Sequence, residues 1–74
     1  MTRDELLRAM EELLEQQDGS LKGPEPLATL EHWNSMAMIG FIALVDENFG
    51  VTLSPRKFVN CSTLDDLLKL VPLT

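Results

Sequence analysis

The 74-residue chain is predicted to be all-α, a small four-helix bundle with three main helices and one short third helix. Three observations support this. Apolar residues recur at helical spacing in separate stretches, cap residues punctuate those stretches, and no alternating stretch is long enough to promise a sheet. Four prolines, the absence of tyrosine and few β-branched runs agree with that class.

The first helix is expected from about Arg3 to Gln17. Thr2 followed three residues later by Glu5 is a capping-box signature, and Leu6, Leu7, Met10, Leu13 and Leu14 repeat at helical spacing. Asp4, Arg8, Glu11, Glu12 and Glu15 form the other, solvated face, with Asp4 and Arg8 spaced for an i, i+4 pair. Asp18-Gly19-Ser20 supplies the stop, and Gly23-Pro24-Glu25-Pro26 prevents a new helix from starting. A connection this long needs pinning, and Leu21, Leu27, Leu30 and Trp33 are the expected pins.

The stretch from Trp33 to Phe49, WNSMAMIGFIALVDENF, is the central helix. Asn34 or Ser35 stands where an N-cap belongs. Met38, Phe41, Ile42, Val45 and Phe49 fall within a stripe about 100° wide, the width of a core-facing surface. Met36, Ile39, Gly40, Ala43 and Glu47 lie opposite, so the helix stays apolar where it should meet water, and such a face is buried or awaits a partner. Gly40 costs a helix interior about 1 kcal/mol relative to Ala, which reads as close approach by a partner.

Gly50 closes this helix, and Ser54-Pro55 caps a short one in which Phe58 and Val59 should cover one side of the core. Thr63 with Asp66 opens the last helix, whose Leu64, Leu67, Leu68 and Val71 face inward before Pro72 ends it.

Length and charge exclude whole classes of function. Residues 1–74 are expected to form one domain, too small to enclose a large active site, because a domain of this size buries only about 60% of its unfolded surface. Twelve acids against six bases give a formal charge of −6, which disfavours nucleic acid and favours cationic protein patches. The longest apolar run, Met36 to Val45, falls short of the roughly 20 residues of a membrane span. The acid-rich amino terminus resembles no targeting signal, which makes the cytoplasm the expected location. A single cysteine, Cys61, forms no internal disulfide.

Most candidate chemistries fail on spacing. The run from Asp46 to Gly50 superficially suggests a calcium loop, but Val51 occupies the required glycine position and Lys57 that of the closing glutamate. His32 and Cys61 lack a third orienting group and are too few for a zinc set. Asn60-Cys61-Ser62 matches a glycosylation acceptor without any sign of secretion. Ser35 remains, either as an ordinary capping serine or as a hydroxyl at a helix N-terminus, where free N–H groups and the dipole would receive a phosphate.

The order of these phrases resembles the acyl carrier proteins over nearly the whole chain. The family signature Asp-Ser-Leu corresponds to Asn34-Ser35-Met36, preceded by Trp33. The phrase E-x-F-G-V/I corresponds to Glu47, Phe49, Gly50 and Val51, and T-[VL]-x-D to Thr63, Leu64 and Asp66. The resemblance implies a protein that is not itself an enzyme, with 4′-phosphopantetheine attached to Ser35 by a phosphopantetheinyl transferase and flanked by the Asn34 cap. An acyl group held as a thioester could shelter near Met38, Phe41 or Ile42. Acyl-loading and acyl-processing enzymes would dock on the second helix, packing on Met36, Ile39 and Ala43 and making salt-sensitive contacts with Asp46 and Glu47. No metal is implied, and a monomer is expected.

Several departures from the family pattern stand out. Asn34 replaces Asp and so removes a charge beside Ser35, and Met36 replaces Leu with little change of volume. Ala37 and Gly40 stand where acids are expected on the exposed face of the second helix. A peptidyl, aminoacyl or D-alanyl carrier shares the same fold and attachment chemistry. The runner-up is a degenerate, unmodified interaction module of the same fold.

Overall fold

Thr2 and Glu5 open the first helix, α1 (Arg3–Leu13), by reciprocal bonds: the Glu5 N–H donates to the Thr2 hydroxyl at 3.2 Å and the Thr2 N–H to the Glu5 carboxylate at 2.9 Å. A computed structural model describes residues 1–73. After α1 come a 3-10 turn (Leu27–Thr29), α2 (Ser35–Phe49), a second 3-10 turn (Pro55–Asn60) and α3 (Leu64–Leu68). Among the described residues there are no strands, and the all-α class holds. No helix is long and apolar enough to cross a membrane.

α1 is shorter than its sequence suggests. It stops at Leu13 rather than Gln17, because Glu15 takes the left-handed conformation at φ 56°. The Gln16 N–H then donates to the Glu11 carbonyl at 2.7 Å and the Glu15 N–H to that of Glu12 at 3.3 Å, a Schellman closure. Gly19 is left-handed as well, but in the loop beyond.

The polar face of α1 also departs from expectation. Glu11 is fully buried rather than solvated. Arg8 pairs with it, not with Asp4: Arg8 Nε lies 2.7 Å from Glu11 Oε1, and the guanidinium also donates to the Leu21 carbonyl at 3.0 Å. The other Glu11 oxygen accepts the Leu21 N–H at 2.9 Å, so one buried carboxylate holds the start of the long connection against α1.

Leu21 and Leu27 are buried along that connection, and Leu30 and Trp33 pack partly buried on the same core, as expected of the pins. The connection also serves α3. Its Glu25 and Gly23 carbonyls accept the Leu64 and Asp65 N–H groups at 3.0 and 2.8 Å, and an isolated antiparallel bridge joins Pro26 to Thr63. The first donors of α3 are thereby satisfied, as are those offered to its own capping box of Thr63 and Asp66.

α2 is the keel of the core. Phe41 and Val45 are fully buried, each contributing about 1.5–3 kcal/mol of burial. Met38, Ile42 and Phe49 are only partly buried, and Ala37 is buried in the core, which corrects its placement on the exposed face. Gly40 has an internal cause: a Cβ there would lie 2.7 Å from Leu13 Cδ1, so α1 rather than a partner makes the close approach. Gly50 ends α2 in the left-handed region at φ 67°.

The second 3-10 turn is capped by Ser54, whose hydroxyl accepts the Arg56 N–H at 3.3 Å. It buries Phe58 edge-on against both Trp33 and Phe41, with centroids 6.0 Å apart in each pair. Val59 points the other way and is 82% exposed, contrary to its expected place in the core. α3 spans only five residues and ends well before Pro72, yet Leu64, Leu67, Leu68 and Val71 are all buried.

Candidate functional site

Asn34 settles the geometry at the start of α2. It is the N-cap: its backbone is extended, and its side-chain oxygen accepts the Ala37 N–H at 3.0 Å. Ser35 is therefore the first helical residue, exposed to solvent, and its hydroxyl makes no hydrogen bond among the described residues. The Met38 N–H bonds the Asn34 carbonyl at 2.9 Å, which leaves the Ser35 and Met36 N–H groups as the unclaimed donors of the first turn.

These features suit a phosphate ester on the Ser35 oxygen. Two free N–H groups and the positive end of a 15-residue helix favour negative charge there, and no acidic side chain stands in the first turn to oppose it.

The exposed side of α2 carries the remaining sequence candidates. Met36 is 77% and Ile39 62% exposed, and Ala43, Asp46 and Glu47 are also exposed. Phe41, by contrast, is fully buried in the core. His32 and Cys61 do not form a pair: His32 Nδ1 lies 3.5 Å from Glu15 Oε2, while the Cys61 thiol donates to the Lys57 carbonyl at 3.4 Å. Burial, and then the Asp66 carboxylate, push that thiol's pKa up, away from the reactive thiolate.

One neighbour of the site escaped the sequence reading. Glu15 and His32 share a cleft with Asn34 and Met36, and the left-handed turn at Glu15 places it there. Non-glycine residues adopt that conformation uncommonly, so no spacing pattern announces it.

Comparison with known families bears on the whole arrangement. A family model described as a phosphopantetheine attachment site matches residues 4–71. No match was found among curated proteins or among solved structures. Since the match covers nearly all of the chain, the protein belongs to the phosphopantetheine-binding carrier family, whose members hold 4′-phosphopantetheine covalently on a serine.

Proposed function

We propose that the chain is an acyl carrier protein whose Ser35 is the attachment serine. The observation that carries this reading is the exposed, unbonded Ser35 hydroxyl at the first position of α2 in a chain of this family. A phosphopantetheinyl transferase would deprotonate the hydroxyl, and its oxygen would displace adenosine 3′,5′-bisphosphate from coenzyme A to leave a phosphodiester. When attached, the group supplies a flexible arm whose thiol holds an acyl group as a thioester. The chain itself is a carrier, not an enzyme, and acts as a single cytoplasmic domain. Fatty-acid or polyketide synthesis is the setting this reading assigns it, with a peptidyl, aminoacyl or D-alanyl carrier as the alternative of the same fold and attachment chemistry.

Partners meet α2 because they must reach an arm that starts at its first residue. Met36, Ile39 and Ala43 provide apolar contact, and Asp46 and Glu47 provide contacts that weaken with salt. The rise in transferase KM, or the loss of partner affinity, in Met36→Ala and Ile39→Ala should exceed that caused by moderate salt. The reverse ranking would remove the apolar surface from the proposal.

Intact mass after incubation with coenzyme A and a broad-specificity transferase tests the attachment. One added phosphopantetheine, absent in Ser35→Ala, supports the carrier. A second reading, an unmodified interaction module, is favoured by Asn34, which puts an uncharged side chain beside Ser35 where the family pattern has Asp. Mass gain only after Asn34→Asp would decide for that module.

A further inference from the structure

Beside the start of α2, the end of α1 and the last turn of the long connection leave a cleft of about 190 Å³, lined by Leu13, Glu15, His32, Asn34, Met36 and Ala37. Asn34 and Met36 flank Ser35 in the chain, so the cleft adjoins the base of any group attached to that serine. Leu13, Met36 and Ala37 make its apolar wall; Ala37 is buried, Leu13 partly buried and Met36 77% exposed. The other wall is polar and incompletely partnered. The Glu15 carboxylate meets only His32 among the described residues, at 3.5 Å. Asn34 commits its side-chain oxygen to the Ala37 N–H, while its amide N–H groups donate to nothing among the described residues.

Size and chemistry narrow what this cleft can hold. One carboxylate and one imidazole make a poor metal set, and no cluster of three or more metal-ligating side chains occurs among the described residues. With water's share of volume at about 30 Å³, the space takes a fragment of about six heavy atoms, too few for an acyl chain or for an element of a partner. That fragment has to be apolar on one side and to offer both a donor and an acceptor on the other. The arm that this family carries on serine has such a unit one methylene beyond its phosphate: a carbon bearing two methyl groups, then one bearing a hydroxyl, then an amide carbonyl.

We propose that this cleft seats the pantoyl segment of an arm on Ser35, with its methyl groups against Leu13, Met36 and Ala37 and its hydroxyl and carbonyl met by Glu15, His32 and Asn34. The imidazole and the Asn34 amide each offer an N–H to the carbonyl, and Glu15 accepts from the hydroxyl. The base of the arm is thereby turned towards α1. Met38 lies two residues from Met36, about 160° round the helix, so the seat is separate from any shelter for cargo near Met38 and Ile42. Holding the base reduces the freedom that a partner has to freeze when it takes up the thiol. The seat depends on the reading that Ser35 carries the arm, and it gives Glu15 and His32, both outside the attachment motif, a part in binding it.

The test uses the full chain, isotope-labelled, bearing an unlabelled arm transferred from coenzyme A, with attachment read by intact mass. Isotope-filtered NOEs are expected from the arm's methyl groups to Leu13, Met36 and Ala37, and the two methyl signals should lie further apart than in free coenzyme A. Glu15→Gly keeps the left-handed turn at φ 56° and removes the carboxylate. Combined with His32→Ala, it should lower the ratio of seated to free arm about tenfold, through the loss of two hydrogen bonds, and return the methyl signals towards those of coenzyme A. Val59→Ala, exposed and outside the cleft, should leave them unchanged. NOEs to Met38 and Ile42 instead, methyl signals equal to those of coenzyme A, or an equal response to Val59→Ala would overturn the seat and leave the attachment standing. No gain in mass, or a gain that survives Ser35→Ala, would overturn the attachment reading and the seat with it.

Discussion

The Leu21 N–H donates to Glu11 Oε2 across 2.9 Å inside the protein, although Leu21 follows Glu11 by ten residues and lies beyond the end of its helix. This bond, with the Arg8 guanidinium that pairs with Glu11 and donates to the Leu21 carbonyl, ties the connection leading to Ser35 onto α1. Glu11→Ala would leave the Leu21 N–H buried without an acceptor, an expected loss of about 2–3 kcal/mol in urea unfolding. A loss below the level of an ordinary surface substitution would show that the bond is dispensable.

The same carboxylate should make stability depend on acid. Burial opposes its charge, but the Leu21 and Gly19 N–H groups and Arg8 outweigh that and hold its pKa below the usual 4.5. A depressed folded pKa contributes stability that is full above the unfolded value and is lost as pH falls through the folded one. The stability gap between the native chain and Glu11→Gln should therefore narrow on going from pH 7 to below about pH 4.5. A gap that stays constant across that range contradicts the assignment.

Gly23 sits beneath a latch between α1 and α3. Arg3 donates to Asp65 Oδ1 at 2.6 Å and to the Lys22 carbonyl at 3.0 Å, and any Cβ at Gly23 would collide with both side chains of the pair. Gly23 also has φ +123°, a conformation that suits glycine alone. Gly23→Ala is expected to cost about 2 kcal/mol. Part of that cost should persist in an Arg3→Ala/Asp65→Ala background, since the backbone strain remains when the collision with both side chains is relieved. Full recovery there would confine the cause to the latch.

Much of this fold was legible because its signals are local. The capping boxes of Thr2 with Glu5 and of Thr63 with Asp66, the Ser54-Pro55 start and the Gly50 stop all lie within a few residues of what they control. The exposure of Ser35 was legible for the same reason, since a cap before an apolar helix places the next residue at its open end. What sequence could not reveal depends on contacts between distant residues. Glu11 looks like any surface acid until Leu21 folds over it, and Ala37 and Val59 exchange their expected places according to which side their neighbours occupy. The early end of α1 needs a left-handed Glu15, against that residue's own preference.

Gly40 separates two opposed effects of similar size. Alanine in its place gains about 1 kcal/mol of helix propensity, while its Cβ, 2.7 Å from Leu13 Cδ1, forces the end of a flexible, partly buried side chain to turn, at about 0.5–1.5 kcal/mol. Gly40→Ala should therefore change stability by less than about 1 kcal/mol. Gly40→Val brings branched bulk and poorer propensity together, and should destabilise by about 1–3 kcal/mol. Full helix-propensity gain in the alanine variant would show that Leu13 does not press on this position in solution.

Asn34 allows the cap and the chemistry beside it to be separated. Its side chain satisfies the Ala37 N–H, so Asn34→Ala should cost about 1 kcal/mol, or roughly 4–8 °C in Tm for a domain of this size. Asn34→Asp keeps the acceptor and adds a negative charge at the positive end of α2, a gain of about 0.3–1 kcal/mol in the unmodified chain. Once Ser35 bears a phosphodiester, that added charge stands beside another of the same sign. The Asn34→Asp gain should then shrink in the modified protein and shrink less in high salt, where the repulsion is screened. Thermal unfolding of modified and unmodified chains at two salt concentrations measures this directly. An equal gain in both forms would place the phosphate away from the start of α2 and count against Ser35 as its bearer.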